Sequence, residues 1–125
     1  ILWERRGHSV ESRLSQLARP GFIAVTTASE LLVGVHRANT LERRNARSLF
    51  VEALLRQFPI LGIELPVGCI HAKLSADLMQ KGTAIGYHDL WIAATAMSYG
   101  YAVMTTNAKE FARIPNLEVI IIETN

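Results

Sequence analysis

His88-Asp-Leu-Trp-Ile-Ala-Ala-Thr-Ala-Met-Ser-Tyr-Gly100, followed directly by Tyr101-Ala-Val-Met-Thr105, is the stretch on which the fold turns. From Leu90 to Ala108 there is no charged residue, a run long enough by count to span a bilayer. Ser98, Gly100, Thr105, Thr106 and Asn107 interrupt it, so it reads as a buried helix leading into a buried strand and not as a membrane span. The helix starts at His88 or Asp89, is apolar nearly all round through Leu90, Trp91, Ile92, Ala93, Ala94, Ala96 and Met97, and ends at Gly100. A helix apolar on every side must be covered on most of them, which needs a sheet and other helices around it.

Working outward, Val119 to Ile122 repeats the continuous apolar pattern of residues 101–105, and Phe22 to Thr26 is short and β-branched, so both read as strands. Thr27-Ala-Ser-Glu30 has the form of a capping box and opens a helix through Leu31, Leu32 and Val35. A second helix runs from about Thr40 to Phe58, with Leu41, Leu49, Phe50, Ala53, Leu54 and Phe58 as its apolar stripe; the two form a helical hairpin joined near Ala38 and Asn39. Ile60 to Leu65 is a strand weakened by Gly62, and Pro66 suits the first turn of a helix carrying Val67, Ile70, Leu74 and Leu78, stopped by Gly82. Near the start, Ser9 caps a helix through Val10, Leu14 and Leu17 that ends before Pro20. Strands alternating with helices, and apolar without alternation, predict an α/β fold: a central parallel sheet with helices on both faces, in three α/β/α layers.

The chain has 125 residues, half of them hydrophobic and 19% charged, with a net charge of +2. That is one domain's worth of core, with no repeat or linker at which to divide it. The single cysteine, Cys69, excludes an internal disulfide, no Cys/His cluster has zinc-ligand spacing, and the start is not a signal peptide, so a reducing compartment, the cytoplasm, is the expected setting. The basic excess permits a nucleic-acid partner without requiring one. Its distribution is more pointed: Arg37, Arg43, Arg44 and Arg47 cluster on the hairpin, where they either neutralise phosphates or form a solvated face paired with Glu42. His8, His36 and His71 read as surface or capping residues, and His88 as a cap; Met97, Met104, Trp91 and Phe111 read as core.

In open parallel sheets ligands bind beyond the carboxyl ends of the strands. Glu30, Asp89 and Asn107 each fall at such a place. Two carboxylates and an amide oxygen are hard ligands suited to Mg²⁺ or Mn²⁺, and a divalent ion so held favours phosphodiester hydrolysis. Each residue also has a plainer reading: Glu30 completing its capping box, Asp89 capping its helix, Asn107 shaping a turn.

Three segments together resemble one family. Thr26-Thr-Ala-Ser-Glu-Leu-Leu-Val-Gly-Val-His-Arg-Ala38, Gly86-Tyr-His-Asp-Leu-Trp-Ile-Ala-Ala-Thr-Ala96, and Val103-Met-Thr-Thr-Asn-Ala-Lys-Glu-Phe111 with Ile114-Pro-Asn-Leu117 are similar to PIN domains, and within them to the VapC-like toxins of toxin–antitoxin modules. The resemblance implies a metal-dependent endoribonuclease that cleaves tRNA or rRNA, dimerises, and is silenced by a VapB-like antitoxin. It implies that Glu30, Asp89 and Asn107 hold Mg²⁺ or Mn²⁺, with Thr105 as the accompanying hydroxyl. Such domains begin with a strand ending in Asp-Thr-Ser or Asp-Thr-Asn; Ile1-Leu2-Trp3 resembles the segment just after it, so residues 1–125 are expected to be a single PIN domain without its first strand and that Asp. Two other readings stand beside the toxin: a catalytically silent module that binds RNA or antitoxin, and an RNA-processing PIN nuclease outside toxin–antitoxin systems.

Overall fold

The computed structural model describes residues 21–122, so the helix expected over residues 10–17 lies outside the described residues. The chain divides into two compact units, Gly21–Gly62 and, among the described residues, 63–122.

In the first unit, β1 (Ile23–Ala24) runs directly into α1 (Val25–His36), and α2 (Leu41–Gln57) leads to β2 (Ile60–Leu61). The two strands pair in parallel, Ile23 with Ile60 and Ala24 with Leu61, so the hairpin is the crossover that parallel pairing demands. β1 is shorter than the apolar pattern of residues 22–26 predicts, because the backbone turns helical at Val25. This early start undoes the expected capping box. The N-cap is Ala24, which makes no side-chain cap bond, and Thr27 lies inside the helix, buried with Ala28, Leu31 and Val35. At the other end of the hairpin loop, Thr40 does cap α2, its Oγ1 accepting from the Arg43 N–H at 3.1 Å.

The predicted stripe of α2 holds in part: Phe50, Leu54 and Phe58 are half-buried at four-residue spacing, while Ala53 is exposed. The one buried residue of α2 is Val51, while Leu41 and Leu49 are 71% and 69% exposed. Within the unit α2 packs against α1, and a single helical neighbour covers one narrow line of residues. Three of the hairpin arginines bond within the hairpin itself: Arg47 donates to the Gly34 carbonyl at 2.8 Å, Arg44 to that of Ala38, and Arg43 to the Asn39 side chain at Oδ1. The expected pairing with Glu42 is not what holds them.

The second unit contains α3 (Leu65–Gln80), α4 (Tyr87–Tyr99), β3 (Val103–Thr105), a 3-10 turn at Phe111–Arg113 and β4 (Val119–Ile121). Pro66 sits in the first turn of α3, and Val67, Leu74 and Leu78 are its buried residues, as the spacing predicts. Gly82 (φ +69°) and Gly100 (φ +74°) occupy the left-handed position after α3 and α4, the conformation for which glycine has no steric cost. In α4 the five consecutive residues Ile92 to Ala96 are all buried, Ala93 and Ala94 completely. Five residues exceed one turn, so this helix is enclosed on all sides there. β3 is fully buried and parallel to β4, in the register Val103 to Val119, Met104 to Ile120 and Thr105 to Ile121. Between them Phe111, 1% exposed, and Ile114 anchor the connecting segment in the core.

All observed strand pairing is therefore parallel, as expected, with one two-stranded pair in each unit. His71 departs from its predicted surface or capping role. It lies within α3, half-buried, with its ring stacked on Trp91 of α4 at 3.6 Å between centroids and 13° between planes. Burial lowers its pKa, and Nε2 has no hydrogen-bond partner. Among the described residues no helix is long and apolar enough to cross a membrane.

Candidate active site

α4 begins where the sequence places its functional acid, but not with that acid as its cap. The N-cap is Gly86, without a side-chain cap bond, and Asp89 stands three residues later in the first turn. The capping reading of Asp89 is thus removed, while the partial positive charge of the helix start still favours a carboxylate there.

A second carboxylate, which the sequence reading did not single out, meets it. Glu110 Oε2 accepts a hydrogen bond from the Gly86 N–H at 3.3 Å, and its carboxyl is hydrogen-bonded to Asp89. The absent side chain of Gly86 makes room for both: a Cβ built there would lie 3.3 Å from Glu110 Oε2 and 3.7 Å from Asp89 Oδ2. Asp89, then the Gly86 amide, hold the Glu110 carboxyl below the usual carboxylate range; Arg113 and Lys109 add to this and desolvation opposes it. Arg113 also donates to the Ala84 carbonyl at 2.9 Å. The segment 110–113 therefore grips both ends of the turn 84–86 that launches α4. Glu110 was present in the Lys109-Glu-Phe111 motif, but a polar residue in an irregular connection has no periodicity to mark it. The usable signal was its place, three residues past Asn107 and next to the apolar anchor Phe111.

Thr105 and Asn107 form a separate local constellation at the end of β3. Thr105 is buried, and its Oγ1 accepts from the Asn107 N–H at 3.0 Å and donates to the Asn107 carbonyl at 3.2 Å. The hydroxyl thus folds the backbone into a turn that leaves Asn107 exposed just past the strand.

Glu30 belongs to the other unit, in the second turn of α1. Its Oε1 is shielded from solvent, and one turn earlier on the same face Thr26 Oγ1 is buried with no hydrogen-bond partner.

The donor chemistry suits a hard divalent cation. Among the described residues no three His, Cys, Asp or Glu side chains group closely enough to hold an ion by themselves. Mg²⁺ does not need such a cage: one or two carboxylates, retained waters and a substrate phosphate form its usual shell. Two carboxyl groups in hydrogen-bond contact share a proton, and a cation can take its place.

Parallel strand pairing and an acid in the first turn of α4 agree with the class that the sequence comparison names: residues 2–117 match the PIN domain, and the chain belongs to that family. Within the family its relatives are VapC proteins. It is 36% identical over 101 residues to "Ribonuclease VapC" of Rickettsia bellii, covering 81% of this chain and 75% of that one. It is 32% identical over 97 residues to "tRNA(fMet)-specific endonuclease VapC" of Salmonella typhimurium, covering 78% and 71%. Its fold matches the crystal structure of VapBC2 from Rickettsia felis bound to a DNA fragment from its promoter, with a TM-score of 0.83 and 28% identity over 91% of this chain and 85% of that one.

Proposed function

We propose that this protein is a VapC-like endoribonuclease toxin that hydrolyses phosphodiester bonds in cellular RNA and is neutralised by a cognate VapB-like antitoxin. The observation that carries the reading is the Asp89–Glu110 pair gathered against the Gly86 amide, in a chain whose relatives are named ribonucleases. The relative named as specific for an initiator tRNA makes tRNA the first substrate to try, with rRNA second. The fold match to a toxin seated with its antitoxin supports the VapB-like partner. We further propose that residues 1–125 act as a single PIN domain, that the protein dimerises, and that it works in the cytoplasm.

In this reading Asp89, Glu110 and Asn107 would hold Mg²⁺ or Mn²⁺, which when bound would supply an activated water and neutralise charge on the phosphate; the family resemblance also assigns Glu30 to metal binding. Asp89 provides a carboxylate fixed by a helix whose next turns are locked in the core. Glu110 holds that carboxylate and the helix start in register. Asn107 offers an uncharged oxygen, which lowers the local negative charge relative to a third acid and eases the approach of a polyanion. Thr105 positions Asn107 through the turn it bonds.

The test is cleavage of total tRNA and rRNA by the purified protein with Mg²⁺ or Mn²⁺, with chelator, and as Asp89→Asn and Glu30→Gln variants. Metal-dependent cutting abolished by either substitution, with unfolding temperatures retained, is the expected result. Wild-type cutting rates in Asp89→Asn would overturn the assigned site, and absence of any cutting by the metal-loaded wild type would overturn the activity.

A further inference from the structure

The arginines of the helical hairpin are not used by the chemistry above. Arg47, Arg44 and Arg43, on the first half of α2, all reach the segment 34–39: to the Gly34 carbonyl at 2.8 Å, the Ala38 carbonyl at 3.5 Å and Asn39 Oδ1 at 3.1 Å. Arg37 lies inside that segment, at the end of α1, and is exposed like the other three. Four guanidinium groups are thus drawn to one end of the hairpin, and among the described residues none of them pairs with a carboxylate. Between residues 34 and 47 the sole acid is Glu42. Capping the carbonyls at the end of α1 accounts for part of this, but a helix end carries only about half a negative charge, far less than these arginines bring. A guanidinium also has more donors than one bond consumes.

We propose that Arg37, Arg43, Arg44 and Arg47 form a phosphate-binding patch that holds the backbone of the RNA without taking part in its cleavage. The inference rests on the ribonuclease reading and adds a second contact to it. Arg37 follows Glu30 by two turns on the same face of α1, about 10 Å along the axis, so a strand engaged at Glu30 can continue onto the patch. The chemistry of the patch selects a polyanion backbone over a protein partner. Planar guanidinium forks match phosphate oxygens two at a time. A protein interface needs an apolar centre, and the exposed Leu49 follows Arg47 by two residues, which puts it on the opposite side of α2. Contacts of this kind read no base, so the patch contributes affinity that depends on salt and not on sequence.

The test is binding of a labelled single-stranded oligoribonucleotide to the intact protein in chelator, repeated over a series of potassium chloride concentrations. Each arginine that neutralises a phosphate contributes about −0.7 to the slope of log affinity against log salt. Replacing all four by Gln should therefore flatten the slope by about 3, and Arg37→Gln with Arg43→Gln, which leaves the carbonyl bonds of Arg44 and Arg47 in place, by about 1.4. Arg37→Lys, Arg43→Lys, Arg44→Lys and Arg47→Lys together keep the charge and with it the slope. An unchanged slope in the double variant overturns the patch. So does a lower melting temperature with an unchanged slope in the fourfold Gln variant, which would leave the arginines as caps of α1. Tighter salt-dependent binding of polyglutamate than of RNA by the wild type would assign the surface to an acidic protein and likewise overturn it. If the metal-loaded wild type cuts no RNA, the activity reading fails separately, and the titration in chelator still decides the patch.

Discussion

Gly86→Ala isolates the role of the carboxylate pair with little disturbance of the fold. The backbone at residue 86 has φ −56° and ψ 145°, extended values open to any residue. Alanine there carries no backbone strain, and its restriction of the unfolded chain, about 0.4–1 kcal/mol, is offset by its poorer fit than glycine at an N-cap. Its methyl group, however, would lie 3.3 Å from Glu110 Oε2. Relieving that contact moves the Glu110 carboxyl away by a few tenths of an ångström. Its bond to the Gly86 amide is already 3.3 Å, so it stretches beyond useful length, and the contact of Glu110 with Asp89 is disturbed with it. A displacement of 1 Å near reacting groups costs ~100-fold in rate, so a few tenths corresponds to roughly tenfold or less. The assay is a titration of RNA cleavage with Mg²⁺ and Mn²⁺ beside a thermal melt. About tenfold weaker cleavage, a higher metal requirement and a melting temperature within a few degrees of wild type are expected. Unchanged cleavage at every metal concentration would refute the claim that the two carboxylates act together.

Other consequences can be measured directly. Phe111→Ala empties a fully buried ring site and costs about 3–5 kcal/mol, a large part of a small domain's stability, read as a drop in the urea midpoint. Gly100→Ala forces a side chain into φ +74° and costs about 1–2 kcal/mol in the same assay, whereas alanine at residue 86 does not. The lowered pKa of His71 means that the folded form takes up a proton less readily than the unfolded chain. Its stability contribution is therefore intact above its ordinary value of 6.5 and is lost as the pH falls below it. His71→Phe keeps the stack on Trp91 and should lose this component of the change in urea midpoint between pH 7.5 and about 5.5; an equal fall in both proteins would refute the assignment.

What the sequence makes legible here are features written in one or two residues with strong backbone preferences. Pro66, Gly82, Gly100 and Thr40 mark helix ends, and each sits where it was expected. The enclosed helix was legible because apolar residues on every face admit one interpretation. The strands were read too long, since β1 and β2 are two residues each and too short for a pattern to bound. The apparent capping box at Thr27 misled because its spacing is also that of buried positions inside a helix. Pairing across the chain was out of reach: no local pattern joins Glu110 to Gly86 or His71 to Trp91, and those contacts exist only once α3, α4 and the connecting turn are packed.

The two alanines at the centre of α4, Ala93 and Ala94, have no exposed surface at all. They sit one turn from Asp89, so any added methyl group there must push the whole helix along or aside, and the carboxylate travels with it. A selection for variants that no longer harm the cell should then collect substitutions at these small residues alongside those at the acids. For this protein, tolerance to toxicity would be inherited as readily through packing as through chemistry.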